Sequence, residues 1–211
     1  MNKKLTTVAL GDSITACGRN GQPCYANLLC ERIVEKLKGR LSCELVNVGR
    51  AGGTTAGVDP EDTGPALAWI EEEIFPCKPQ LVLIMLGFND LRNHLLKEDN
   101  FIFNMRAIIN SIRKNCNAKI VLGDIPHMVS YEAYGPIWNH GSREKSDRFC
   151  RIVGQLGKEF DLPVAKVHAT MDHDDSLVCE DGVHPNKRGH EKIADAFWDV
   201  IKDWDFVKLA E

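Results

Sequence analysis

No stretch of this 211-residue sequence approaches the ~20 consecutive apolar residues of a membrane span. Nor does an apolar region of signal-peptide length follow Met1-Asn2-Lys3-Lys4, because Thr6 and Thr7 interrupt it and Gly11-Asp12 ends it. Both absences lead us to expect a cytoplasmic protein with no stable membrane insertion. Long blocks of one charge are also missing. The longest acidic run is Glu71-Glu72-Glu73, and the formal net charge is −4 with acids and bases mixed along the chain. That leaves no basic footprint for nucleic acid and no polybasic patch for a lipid surface. The eight cysteines contain no CxxC pair, which argues against a zinc ribbon and against a thioredoxin-like motif. Their scatter through core-like segments suggests buried, reduced thiols acting as small apolar residues. Internal repeats and linkers are absent, so the reading is a single domain over 1–211.

What is present is an alternation of strands and helices. Thr7 to Leu10 is a short apolar run that meets Gly11-Asp12-Ser13-Ile14-Thr15, the pattern of a buried strand ending in a tight turn. Tyr25, Leu29, Ile33 and Leu37 recur at helical spacing, with Gly39 ending the helix. Cys43 to Val48 reads as the second strand and runs into Gly49-Arg50-Ala51-Gly52-Gly53-Thr54-Thr55. Gly64-Pro65 opens a helix with Leu67, Ile70 and Ile74 inward, closed by Pro76. Leu81 to Leu86 is apolar at every position, as a central parallel strand is. It ends at Gly87-Phe88-Asn89-Asp90, and a helix with Ile102, Met105, Ile109 and Ile112 on one face follows. Lys119 to Leu122 is the fourth strand and Pro163 to Val167 the fifth. Between them lies a helix carrying Phe149, Ile152, Val153, Leu156 and Phe160, and the last helix carries Ile193, Phe197, Val200, Ile201 and Trp204. Right-handed crossovers turn this order into a five-stranded parallel sheet with helices on both faces, an α/β fold.

Ligands of such sheets bind beyond the carboxyl ends of the strands. Those ends carry Ser13, then Gly52, then Asn89, and finally Asp181 and His184. A serine hydroxyl needs a neighbouring imidazole to take its proton, and the imidazole needs an acceptor on its other nitrogen. Ser13, His184 and Asp181 supply that set, since Asp181 lies three residues before His184 with Gly182 easing the turn and Pro185 stiffening its exit. The Ser13 N–H, the Gly52 N–H and the Asn89 side-chain amide are the candidate donors for an oxyanion. Asp12 is expected to hold its loop by hydrogen bonds, and Asp90 to cap or brace its turn. Cys17, four residues beyond Ser13, is the weaker alternative nucleophile.

Four blocks resemble those of the SGNH, or GDSL, hydrolases: Gly11-Asp12-Ser13, Asn47-Val48-Gly49-Arg50-Ala51-Gly52, Gly87-Phe88-Asn89-Asp90 and Asp181-Gly182-Val183-His184-Pro185. They occur in the family's order and span nearly the whole chain. Ala51 departs from the serine that many members place before the glycine. The resemblance implies a flavodoxin-like three-layer α/β/α sandwich and a metal-independent ester hydrolase. It implies catalysis by Ser13, His184 and Asp181, an oxyanion hole from Ser13, Gly52 and Asn89, and neither cofactor nor metal.

The implied partner is a small-molecule acyl ester, of small or medium acyl length. Lysophospholipids, acyl thioesters and acetylated sugars are alternatives within the same mechanism, and no feature assigns an oligomeric state. The segment from His127 to Ser142 is either a lid or a surface excursion pinned by its aromatics. Its Tyr131, Tyr134 and Trp138 are candidate substrate-binding residues, as an acyl wall or a sugar platform. Two readings of other classes compete: a catalytically silent binding domain of the same fold, and a phosphate binder using the turn at 49–55. That turn lacks the spacing and the lysine of a P-loop. His173 lacks a second histidine at ligand spacing, so its acidic loop reads as solvated. His127 and His168 carry no partner signature.

Overall fold

Strand β1 (Lys3–Gly11) lies between β2 (Leu41–Gly49) and β3 (Leu81–Met85). Beyond β3 come β4 (Lys119–Gly123) and β5 (Val164–Ala165), giving the order β2-β1-β3-β4-β5 with every pairing parallel. This is the flavodoxin-like doubly wound order. The computed structural model describes residues 3–16, 23–56, 65–132 and 135–211, and the sheet is that of the described residues. Gly11 is opposite both Gly49 and Met85, Ile84 is opposite Leu122, and Gly123 is opposite Ala165. The carboxyl ends of all five strands therefore share one edge.

Helices cover both faces, as the apolar content of β3 requires: all five of its residues are buried. On one side α2 (Tyr25–Lys36) packs against α8 (Lys187–Ile201). On the other, α5 (Glu98–Asn115) packs against both α3 (Ala66–Trp69) and α6 (Arg143–Glu159). Short helices α1 (Ser13–Ala16), α4 (Phe88–Arg92) and α7 (Val167–Met171) follow β1, β3 and β5 at the carboxyl edge. The chain ends with α9 (Phe206–Leu209). Among the described residues no helix is long and apolar enough to cross a membrane.

The structure departs from the sequence reading in four places. β5 is two residues rather than five, because Val167 already belongs to α7. The buried stripe of α5 is Phe101, Met105, Ile108, Ile109 and Ile112; Ile102 sits at its margin and is half-buried. The helix after Pro65 does not stop cleanly. It passes from α3 into a π-turn over Ile70–Ile74 and a 3-10 turn over Phe75–Cys77, which contains Pro76. Trp69, Ile70 and Ile74 are all buried along this run. The cysteines are less buried than expected. Of the seven described, all reduced, Cys24 and Cys30 are buried, four are half-buried and Cys179 is exposed. Cys17 and Gly64 lie outside the described residues.

Candidate active site

Ser13 is the first residue of α1, one bend beyond the end of β1. Asp12 holds that bend: its Oδ1 accepts the Ile14 N–H at 2.9 Å and its carbonyl accepts the Ala16 N–H at 2.9 Å. Burial drives the Asp12 carboxyl up to about 7; the Ile14 N–H opposes the rise, and the nearby Asp90 charge adds to it. Helix α1 is clasped from two elements. The Thr15 hydroxyl meets the Tyr25 hydroxyl of α2 at 2.9 Å. Asn47 of β2 donates from Nδ2 to the Thr15 carbonyl at 2.6 Å and accepts the Gly49 N–H on Oδ1 at 2.9 Å. The serine thus stands on a fixed platform, with its amide among the first-turn N–H groups that no helical carbonyl claims.

The second part comes from a compact turn before α8. Asp181 Oδ1 accepts two backbone amides, Val183 N–H and His184 N–H, both at 2.9 Å. Its Oδ2 lies 2.6 Å from His184 Nδ1, and His184 Nε2 lies 2.9 Å from Ser13 Oγ. Gly182 makes the turn possible. Its φ is +72°, and a Cβ there would come within 2.7 Å of Ser130 Cβ. The Gly182 carbonyl accepts both the Val129 and the Ser130 N–H at 2.8 Å, which ties the turn to the segment after β4. An acceptor, an imidazole and a hydroxyl thus form one hydrogen-bonded line across 171 residues of sequence. Such a line can pass a proton from hydroxyl to imidazole while the carboxylate stabilises the imidazolium.

The third part is the glycine-rich turn after β2. Gly52 has φ +69°, open to glycine at no steric cost. The turn is bound to the nucleophile strand by Arg50 N–H donating to the Gly11 carbonyl at 3.1 Å. It is bound to α4 by the Asn89 side chain, whose Nδ2 donates to the Gly53 carbonyl at 3.1 Å. Asp90, expected to brace its own turn, braces this one instead. Its carboxylate accepts the Thr55 N–H at 3.0 Å and also the Thr55 hydroxyl. Burial raises the Asp90 carboxyl to about 6 against those hydrogen bonds. From below, Trp69 fills the space that a Cβ at Gly53 would need, with Cη2 at 2.7 Å. The Arg50 guanidinium lies 5.0 Å from the Trp69 ring and bonds Glu73 at 2.6 Å. Thr55, Trp69 and Glu73 were not singled out from sequence, because their roles depend on contacts between remote elements.

The segment from 127 to 142 is tied down where it is described. His140 N–H donates to the Arg92 carbonyl at 3.0 Å, and Lys145 Nζ donates to the His140 carbonyl at 2.6 Å. Tyr131 packs half-buried on the core beside Gly141, and Trp138 is buried. Tyr134 lies outside the described residues. His127 and His168, which carry no partner signature in the sequence, find partners in the fold. His127 Nε2 meets Asp175 Oδ1 at 2.8 Å, and His168 Nε2 lies 3.5 Å from Asp147. The rings of His127 and His168 lie 5.4 and 4.8 Å from that of His173. Among the described residues no group of three His, Cys, Asp or Glu is set to hold a metal ion.

Comparison with known proteins identifies the family and the fold. The sequence profile of the GDSL-like Lipase/Acylhydrolase family matches residues 9–192. An acetylxylan esterase of Geobacillus stearothermophilus is 24% identical over 211 residues, covering 89% of this chain and 90% of its own. An acetylxylan esterase of Xylanibacter ruminicola is 25% identical over 150 residues, covering 64% of this chain; the chain spans only 31% of that protein's length. The crystal structure of the Geobacillus enzyme superposes with a TM-score of 0.74 at 22% identity over 98% of both chains. A putative GDSL-like lipase from Parabacteroides merdae gives 0.76 at 19% identity, covering 96% of this chain and 97% of its own. Three variants of the Geobacillus enzyme solved as catalytic mutants replace a serine, a histidine, and an aspartate three residues before that histidine.

Proposed function

The chain belongs to the GDSL-like lipase/acylhydrolase family, and from that premise we propose that it is a serine ester hydrolase acting through Ser13, His184 and Asp181. The hydrogen-bonded line from Asp181 through His184 to Ser13, at 2.6 and 2.9 Å, carries this reading. In it, Ser13 Oγ attacks the ester carbonyl as His184 Nε2 takes its proton. Asp181 keeps the proton of His184 on Nδ1 and stabilises the imidazolium, its own geometry fixed by the two amides on Oδ1. The tetrahedral oxyanion is received by the Ser13 N–H, the Gly52 N–H and the Asn89 amide. The Gly53 carbonyl takes one proton of that amide and so orients the other. His184 then protonates the leaving alcohol, an acyl-Ser13 remains, and a water activated by the same imidazole releases the acid. Every proton in the cycle has a carrier in these side chains, so the scheme needs no metal or cofactor.

The substrate class we propose is a small or medium acyl ester, with acetyl esters of carbohydrate hydroxyls as the first members to test. The named activity of the Geobacillus relative, which matches 89% of this chain, supports this choice. Tyr131 and Trp138 are proposed to shape the substrate side of the site. The test is hydrolysis of p-nitrophenyl esters from acetate to palmitate, beside acetate release from acetylated xylooligosaccharides, by wild type and Ser13→Ala. The expected profile is highest at the short acyl end, with acetate released from the oligosaccharide, and both lost in the variant. Preference for palmitate would overturn the substrate class. Turnover surviving in Ser13→Ala would overturn the mechanism.

A further inference from the structure

The two thiols of Cys30 and Cys43 are 2.8 Å apart. Cys30 lies on the inner face of α2 and is buried; Cys43 lies on β2, the edge strand of the sheet, and is half-buried. The pair bridges the α2–β2 packing interface. A disulfide has its sulfurs ~2.05 Å apart, so about 0.8 Å of side-chain movement separates the reduced pair from a bond. We propose that Cys30 and Cys43 are a redox couple that closes a disulfide between α2 and the edge strand β2.

The two sites have distinct roles. Hydrogen bonds from Cys30 and from the Thr7 hydroxyl, 3.4 Å away, favour the thiolate at Cys43 and hold its pKa down, against the cost of burial. Hydrogen bonding to Cys43 and burial push Cys30 the other way. Cys43, the more exposed member, is therefore the sulfur that meets an oxidant. With hydrogen peroxide, the Cys43 thiolate takes one oxygen as the O–O bond breaks, giving a sulfenic acid and releasing water after protonation. The Cys30 sulfur then attacks Cys43; the S–S bond forms, the S–O bond breaks and a second water leaves. The balance is two thiols and one peroxide to one disulfide and two waters. A thiol reductant reverses the bond.

The staple bears on the nucleophile's platform. Both joined elements hold α1, since Tyr25 of α2 meets the Thr15 hydroxyl and Asn47 of β2 meets the Thr15 carbonyl. Closing a short loop of chain between them restricts the unfolded state. The oxidised protein is therefore expected to unfold roughly 5–10 °C higher than the reduced protein.

The experiment uses the full chain, fully reduced and then exposed to limiting hydrogen peroxide. Thiols counted under denaturing conditions should fall by two from eight. Peptide mapping should join the fragment carrying Cys30 to that carrying Cys43, with sequencing of the linked fragments separating Cys30 from Cys24. The unfolding temperature should rise and return with dithiothreitol. Cys43→Ser, read beside the reduced wild type, should lose both the link and the rise. An unchanged thiol count, a link between other cysteines, or a Cys43 that stops at the sulfinic acid overturns the couple. A link that leaves the unfolding temperature unchanged overturns the staple.

Discussion

His184 with Asp181 and His127 with Asp175 are alike by distance, at 2.6 and 2.8 Å, and both lie beyond the carboxyl ends of the strands. They differ in what surrounds the pair. Asp181 has its second oxygen locked by two backbone amides, whereas Asp175 is 72% exposed and its contact with His127 is open to solvent screening. The other nitrogen of His184 reaches a serine hydroxyl on a braced helix; the ring of His127 faces His168 and His173. A histidine–carboxylate contact therefore says little about chemistry. What distinguishes His184 is a fixed acceptor on one side and a hydroxyl on the other.

The sharpest way to break this contrast is to delete its two ends. On the proposed mechanism, Ser13→Ala and His184→Ala each lower kcat about 10⁴–10⁶-fold, while His127→Ala leaves ester turnover essentially unchanged; steady-state kinetics on p-nitrophenyl acetate reads all three. A loss in His127→Ala matching that in His184→Ala would erase the distinction. Next in size are the carboxylates. Asp181→Asn is expected to cost about 10³–10⁴-fold in kcat, and Asp175→Asn nothing measurable in the same assay. The oxyanion side follows: Asn89→Ala should lower kcat about 10²–10³-fold with little change in KM.

Much of this was legible in the chain. The central strand Leu81–Met85 is apolar on both faces, the order of strands and helices follows, and Ser13, Gly52 and Asn89 follow the ends of β1, β2 and β3, whereas Asp181 and His184 lie beyond α7 in the turn before α8. These signals are local, carried by periodicity and turn chemistry. The partners of His127 and His168 were not legible, because Asp175 and Asp147 reach them only through the fold. The π-turn that brings Trp69 under Gly53 depends on tertiary packing, which no period of the sequence encodes. The length of β5 was overestimated because Val167 suits a strand and the first turn of α7 equally.

A third histidine extends the comparison to stability. His190 is buried, and burial lowers its pKa from 6.5 to about 4, with the His184 charge adding. The unfolded chain therefore takes up this proton before the folded one, and stability is lost as pH falls from 6.5 toward 4. The loss attributable to His190 is on the order of 2–3 kcal/mol. His190→Gln should flatten that limb in urea melts taken across the window. Asp12 has the opposite sign. Its folded pKa of about 7 stands above the ordinary 3.8 of an aspartate, so its contribution is full below 3.8 and is lost as pH rises through 7. Asp12→Asn, which keeps an oxygen for the Ile14 N–H, should therefore stabilise the protein more at pH 8 than at pH 4. An equal effect at both would refute the neutral, buried carboxyl. The smallest effect expected is that of a chelator, which should leave turnover unchanged; loss in EDTA restored by zinc would contradict a metal-free cycle.

The most direct test of the serine mechanism is a fluorophosphonate reacted with the native protein and read by intact mass and peptide mapping. The mechanism predicts a single adduct, on Ser13, that is absent in Ser13→Ala and slow to form in His184→Ala. An adduct on any other residue, or ester turnover that persists while Ser13 stays unlabelled, would contradict it.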